Sequence, residues 1–213
     1  MFEQELEELK EQINAKKKHI AAMRQTKTGK LHQIILLSFA KGKSISVGDL
    51  AHELKASDES INDLLSELDA KDIINFKDGE VKSAYPFSAK PTKHELLIDG
   101  NKVYSLCAID ALGTPFMLNK DVTINSVCSY CDRPITIEVI NQKLNTDHKD
   151  LTVWIPIKKI EGKVAETFCP EMDFFCSEEH AKVWQEKVGY RGIILTVQQA
   201  LDLGKNFFED FLL

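Results

Sequence analysis

Apolar residues recur at helical spacing along the first third of the chain and at shorter, strand-like intervals after it. Phe2, Leu6, Leu9, Ile13 and Ile20 approximate one stripe, which predicts a helix over 2–24. Glu3, Glu5, Glu7 and Glu8 lie near its start and Lys16, Lys17 and Lys18 toward its end, the order that suits the helix dipole. Such a stripe serves packing or dimerisation. Leu31–Phe39 reads as a buried helix. Ser46, with Asp49 three residues on, gives a capping-box signature, and Val47, Leu50, Ala51 and Leu54 form the face of the helix it opens. A third helix, from about Ser57 to Ala70, sets Ile61, Leu64, Leu65 and Leu68 on one side. Ile73–Phe76, the turn Lys77-Asp78-Gly79 and Val81–Tyr85 then read as a β-hairpin. Three helices and a hairpin make a winged-helix-like pattern.

The pattern changes after the polar linker Ser88–Pro91. Strands are expected at Glu95–Ile98, Val122–Ser126, Pro134–Ile140, Leu151–Ile157, Val164–Phe168 and Gly192–Val197. Val103–Leu112 reads as a helix or helical turn ended by Gly113, and Asn141–Asp150 as a loop. Ser177–Val188 and Gln198–Leu212 read as helices. The expected fold is α+β: an N-terminal helix (1–28), a winged-helix-like domain (29–90), and a mostly antiparallel sheet with packed helices (91–213).

Composition narrows the function. With 213 residues, 43% of them hydrophobic, the chain can build a proper core. No apolar run approaches the roughly 18–20 residues of a membrane span, so no membrane partner is expected. The acidic start lacks the basic and apolar regions of a signal peptide, which places the protein in the cytoplasm. There, five cysteines stay reduced and are available as ligands or nucleophiles. A net charge of −6 argues against nucleic acid. So does the third helix, where Asp58, Glu59, Asp63, Glu67 and Asp69 face a lone Lys71.

The cysteines fall into groups. Cys107 and Asp110 stand at i and i+3, one face of a helical turn. Taken alone, the pair fits better a buried structural cysteine beside a surface aspartate than a reactive pair. Cys128 and Cys131 form a C-x2-C, and Cys176 with His180 supplies a second pair at zinc-knuckle spacing. Together they would make a closed Cys3His site for a structural zinc; the competing reading is a core cysteine and a solvated helix histidine. Cys107 and Cys169 then remain free. Two thiolates and a carboxylate are what carbon–mercury cleavage requires: the sulfurs capture the soft metal, and an acid protonates the departing carbon.

At this point the chain resembles the organomercurial (alkylmercury) lyases. The likeness rests on Val-Tyr-Ser-Leu-Cys-Ala-Ile-Asp at 103–110, Ile-Asn-Ser-Val-Cys at 124–128, Glu-Thr-Phe-Cys at 166–169, Phe174-Phe175, Trp184, the Gly192–Val197 strand and the Ala200–Phe208 helix. The resemblance implies that Cys107 and Cys169 bind mercury, that Asp110 transfers the proton, and that Cys128 is structural. It implies an organomercurial substrate, a Hg(II) product released to external thiols or a thiol-bearing acceptor, and no organic cofactor. The chain departs from the family in Leu106, where a tryptophan is usual, and in Pro170, where a second cysteine often follows. Cys131, Cys176 and His180 are additions, similar to the treble-clef modules of heavy-metal sensors and copper chaperones. A thiol-based metal chaperone or sensor without turnover is therefore the alternative reading, and a metal-responsive regulator of transcription a third.

Overall fold

The computed structural model describes residues 7, 11, 14, 17–159, 161–209, 211 and 212. The helix expected over 2–24 lies largely outside them. Residues 17–23 are helical, and Ile20 and Met23 are buried in the core of this same chain.

Three helices follow: α1 (Lys27–Ala40), α2 (Val47–Leu54) and α3 (Asp58–Ala70). Each has a side-chain cap that satisfies an otherwise orphaned amide: Thr26, Ser46 and Ser57 accept from Gly29, Asp49 and Ser60. At Ser46 the capping box is complete. Ile61, Leu65 and Leu68 of α3 are fully buried. The hairpin is β1 (Ile74–Lys77) and β2 (Glu80–Ala84), turning through Asp78 and Gly79, both at positive φ. Asp78 and Gly79 thus carry the conformation that a tight hairpin turn demands.

The hairpin does not end its sheet. Through β3 (Phe87–Ser88) it continues into β5 (Asn101–Ser105), β4 (His94–Ile98), β6 (Val122–Val127), β7 (Pro134–Ile140) and β8 (Lys143–Asn145). The eight strands run in the order β1-β2-β3-β5-β4-β6-β7-β8, every pairing antiparallel. A second antiparallel sheet has β9 (Thr152–Pro156) between β10 (Asp173–Phe175) and β11 (Gly192–Thr196). Helix α4 (Ala108–Leu118) packs on β4, β5 and β6, and also against α7 (Val197–Phe208), which reaches β9 and β11. The α4–α7 pair therefore ties the two sheets together. Helix α6 (Glu178–Val188) covers the smaller one.

Two expectations need correction. Val103–Ser105 is strand, not helix, and the helix begins only at Ala108 and runs through Gly113 to Leu118. Val103 and Ser105 alternate inward, as a strand requires, and Gly113 is needed for packing rather than termination. Val164–Thr167 is a short helix, α5, not a strand. Thr167 closes its turn by donating to the Lys163 carbonyl at 3.0 Å, and a 3-10 turn with Pro170 inside follows at Cys169–Glu171. The 141–150 loop also contains β8, and the last helix ends at Phe208.

The α4–α7 contact depends on glycine at both sides. A Cβ on Gly204 would lie 2.9 Å from the Gly113 nitrogen and 3.0 Å from the Ile109 carbonyl oxygen, backbone atoms that cannot rotate away. Gly204→Ala should therefore cost about 1–3 kcal/mol of unfolding free energy, the usual range for overpacking, as read by urea denaturation. An unchanged midpoint would mean that the helices separate freely.

Candidate active site and a second thiol cluster

The strand β5 delivers the chain to Cys107, whose extended backbone (φ −154°, ψ 175°) makes it the N-cap of α4. Its sulfur accepts from the Asp110 amide at 3.3 Å, while the thiol donates to Asp110 Oδ2 at 3.0 Å. The i, i+3 spacing thus works as a cap rather than as a helical face. Cys107 sulfur and Asp110 carboxylate meet because both occupy the first turn. Thr114 donates to the Asp110 carbonyl at 2.8 Å, and Ser105 to that of Cys107 at 3.1 Å, which fixes the turn from both ends.

Cys169 arrives from the other side, on the 3-10 turn after α5. Its sulfur, the Cys107 sulfur and an Asp110 oxygen all lie within 4.8 Å of one another. All three residues are buried, at 0%, 4% and 2% exposure for Cys107, Asp110 and Cys169. Burial above all pushes the Cys107 thiol well up, and hydrogen bonding to Cys169 and the charge of Asp110 add to it. A thiolate forms there only when its proton has somewhere to go and a cation replaces it.

Tyr85 was not a candidate from sequence. Its hydroxyl donates to Asp72 Oδ1 at 3.2 Å, and its own proton is held tightly, first by burial and then by the charges of Cys169, Asp72 and Asp110. The residues before Cys169 meet the N-terminal elements directly: Asn75 donates to Glu166 at 2.8 Å, and Lys163 pairs with Asp69 at 2.5 Å. A concavity of about 360 Å3 is lined by Leu106, just before Cys107, and by Ala165 and Glu166, just before Cys169. A larger one, about 590 Å3, between the C-terminal parts of α1 and α4, contains no cysteine.

The second cluster is equally compact. Cys128, Cys131, Cys176 and His180 present donor atoms that all lie within 4.8 Å of one another. Cys131 and Cys176 sulfurs are 3.8 Å apart, and His180 Nδ1 is 3.2 Å from Cys176 and 3.5 Å from Cys128. A tetrahedral ion with Zn–S of about 2.3 Å and Zn–N of about 2.0–2.1 Å sets sulfurs about 3.8 Å apart and S···N at about 3.6 Å. Burial raises the Cys128 thiol, but hydrogen bonds from the Cys176 backbone, the His180 ring and the Tyr130 and Cys131 backbone lower it further than burial raises it. Cys176 moves up, through burial and then through Cys131 and Cys128. Three sulfurs this close cannot all ionise unless a cation sits among them. The Tyr130 ring packs on His180 at 4.7 Å.

A family model described as alkylmercury lyase matches residues 87–209. An alkylmercury lyase of Bacillus cereus is 27% identical over 176 residues, 82% of this chain and 79% of that one. Another, of Streptomyces lividans, is 24% identical over 179 residues, 84% of this chain and 81% of that one. A solved structure described as the mercury-bound form of MerB2 superposes with a TM-score of 0.80 at 25% identity, covering 94% of this chain and 98% of that one. The matched span runs from β3 to just beyond α7 and holds both thiol clusters, and on that span the chain belongs to the alkylmercury lyase family.

Proposed function

We propose that this protein cleaves carbon–mercury bonds by protonolysis, with Cys107, Cys169 and Asp110 as the reacting groups. The observation that carries the reading is the Cys107 thiol donating to Asp110 at 3.0 Å, with Cys169 sulfur within 4.8 Å of both, in a site closed to bulk water. The substrate enters by way of the concavity beside Leu106, as an organomercurial bound to a small thiol. Cys107 displaces that thiol, which leaves with a proton, and an S–Hg–C linkage forms. Cys169 then adds to mercury, and its proton passes through Asp110 to the carbon as the Hg–C bond breaks. The products are a hydrocarbon and Hg(II) held by two sulfurs. Atoms and charge balance without an oxidant or an organic cofactor. Thiols outside the protein, or a thiol-bearing acceptor, take up the ion by exchange.

Purified protein with excess thiol should release benzene from phenylmercury, measured in the headspace by gas chromatography. Mercury binding without any hydrocarbon would instead establish a binding protein. The Cys128, Cys131, Cys176 and His180 cluster is, on the same reading, a site for structural zinc rather than for mercury. Four protein donors leave a tetrahedral ion no open position for substrate. Its chemistry is that of a fixed cross-link, and no step of the reaction passes through it.

A further inference from the structure

The two thiol clusters share one strand. Cys169 lies just before β10 and Cys176 just after it, and β10 is fastened at both ends. At the catalytic end the Ala108 amide, next to Cys107, donates to the Met172 carbonyl at 2.9 Å. At the other end the Ser129 amide, between Cys128 and Cys131, donates to the Phe174 carbonyl at 3.1 Å. The Ser129 hydroxyl also donates to Asp173 Oδ2 at 2.6 Å. Asp173 is buried and accepts from Lys93 at 2.5 Å, with His94 Nε2 3.2 Å away. Hydrogen bonds thus run without a gap from the Cys107 cap, through 172–174, to the knuckle that binds Cys176.

Two backbone hydrogen bonds close the knuckle, from the Cys128 amide to the Arg133 carbonyl at 2.9 Å and from the Asp132 amide to the Cys128 carbonyl at 2.8 Å. Residues 130–134 are exposed, and Asp132 turns the loop at positive φ. An exposed loop of this kind gains no apolar burial to offset its ordering entropy. We propose that zinc bound by Cys128, Cys131, Cys176 and His180 is the clamp that positions Cys169 against Cys107. The inference rests on the zinc reading of this cluster and adds a role for the ion. Cys107 and Asp110 keep their places without it, because their cap is local to α4. Cys169 sits on a segment that β9 and the Ala108–Met172 hydrogen bond already hold, and the zinc site adds the anchor at its far end.

The test uses the full chain as wild type, Cys131→Ser and His180→Cys, purified under reducing conditions. Three quantities are read: zinc per chain, hydrogen exchange along the chain, and single-turnover release of benzene from phenylmercury. Wild type should carry zinc, with slow exchange at 169–176. Cys131→Ser should lose the zinc, exchange faster over 128–134 and 169–176 while 27–70 stay protected, and release benzene about 10- to 100-fold more slowly, the usual cost of a lost supporting contact. His180→Cys keeps four donors, so it should retain zinc and the slow exchange at 169–176. Zinc loss with 169–176 and the rate unchanged would overturn the clamp, as would a rise in exchange throughout the chain. Wild type that neither carries zinc nor takes it up would overturn the zinc reading itself. Zinc-loaded wild type that releases no benzene would overturn the lyase reading alone, since exchange still tests the clamp.

Discussion

Serine in place of Cys107 should lower benzene release by about 10^3-fold or more, the scale of loss when one member of a group that acts as a unit is removed. The variant isolates chemistry from folding. Cys107 caps α4 with its sulfur, and serine is a preferred N-cap residue, so the Asp110 amide keeps an acceptor. The unfolding midpoint should therefore stay within a few degrees of wild type or rise. What disappears is the soft donor: a hydroxyl is a hard, weakly acidic ligand and does not hold mercury against competing thiols. Cys169→Ser should lose about as much for the same reason. The double variant should be scarcely worse than either single one, because one sulfur cannot complete an S–Hg–S product. Turnover of either single variant within tenfold of wild type would remove the two-thiol mechanism.

Local signals were legible where the chain makes local structure. The cap at Ser46 and the stripe Ile61, Leu64, Leu65, Leu68 place α2 and α3, because a helix buried on one face shows its period in sequence. Two segments next to the site differ from what their sequence suggests, each for its own reason. Residues 103–112 are apolar almost throughout, so the short alternation of β5 runs into the buried helix α4 with no visible change of period. In 164–168 the β-branched and aromatic residues suggest a strand, but tertiary contacts decide: Asn75 holds Glu166 and Asp69 holds Lys163 from more than 90 residues away.

The site divides along the same line. Cys107 and Asp110 meet inside one turn, so their spacing could suggest the pair. Nothing in the spacing of Cys169 brings it there; only its likeness to lyase sequences did. Tyr85, Asp72 and the Asp173–His94–Lys93 network carry no sequence signal, because the first pair meets only across the folded β1–β2 hairpin and Asp173 lies about 80 residues from its partners. Ser129 is the sharpest case. An ordinary residue of a C-x2-C becomes the joint between the two clusters only once β10 is laid beside it.

Asparagine in place of Asp110 separates mercury capture from carbon protonation. The side chains match in size, and an amide oxygen still accepts from the Cys107 thiol, so the buried turn has no cavity to fill. Thr114 donates to the backbone carbonyl of residue 110 and is untouched by the change. The proton carrier is lost: an amide neither takes the thiol proton nor returns it to carbon. Release of benzene should fall about 10^2- to 10^4-fold, the range for a positioned general acid–base group. The organomercurial itself should still bind, as a stable S–Hg–C adduct on Cys107, and mass spectrometry of the intact chain should show the added phenylmercury. Wild type should instead show bare Hg(II) after the same incubation. If the asparagine variant also carries bare Hg(II) at wild-type speed, the proton reaches carbon from a group other than Asp110.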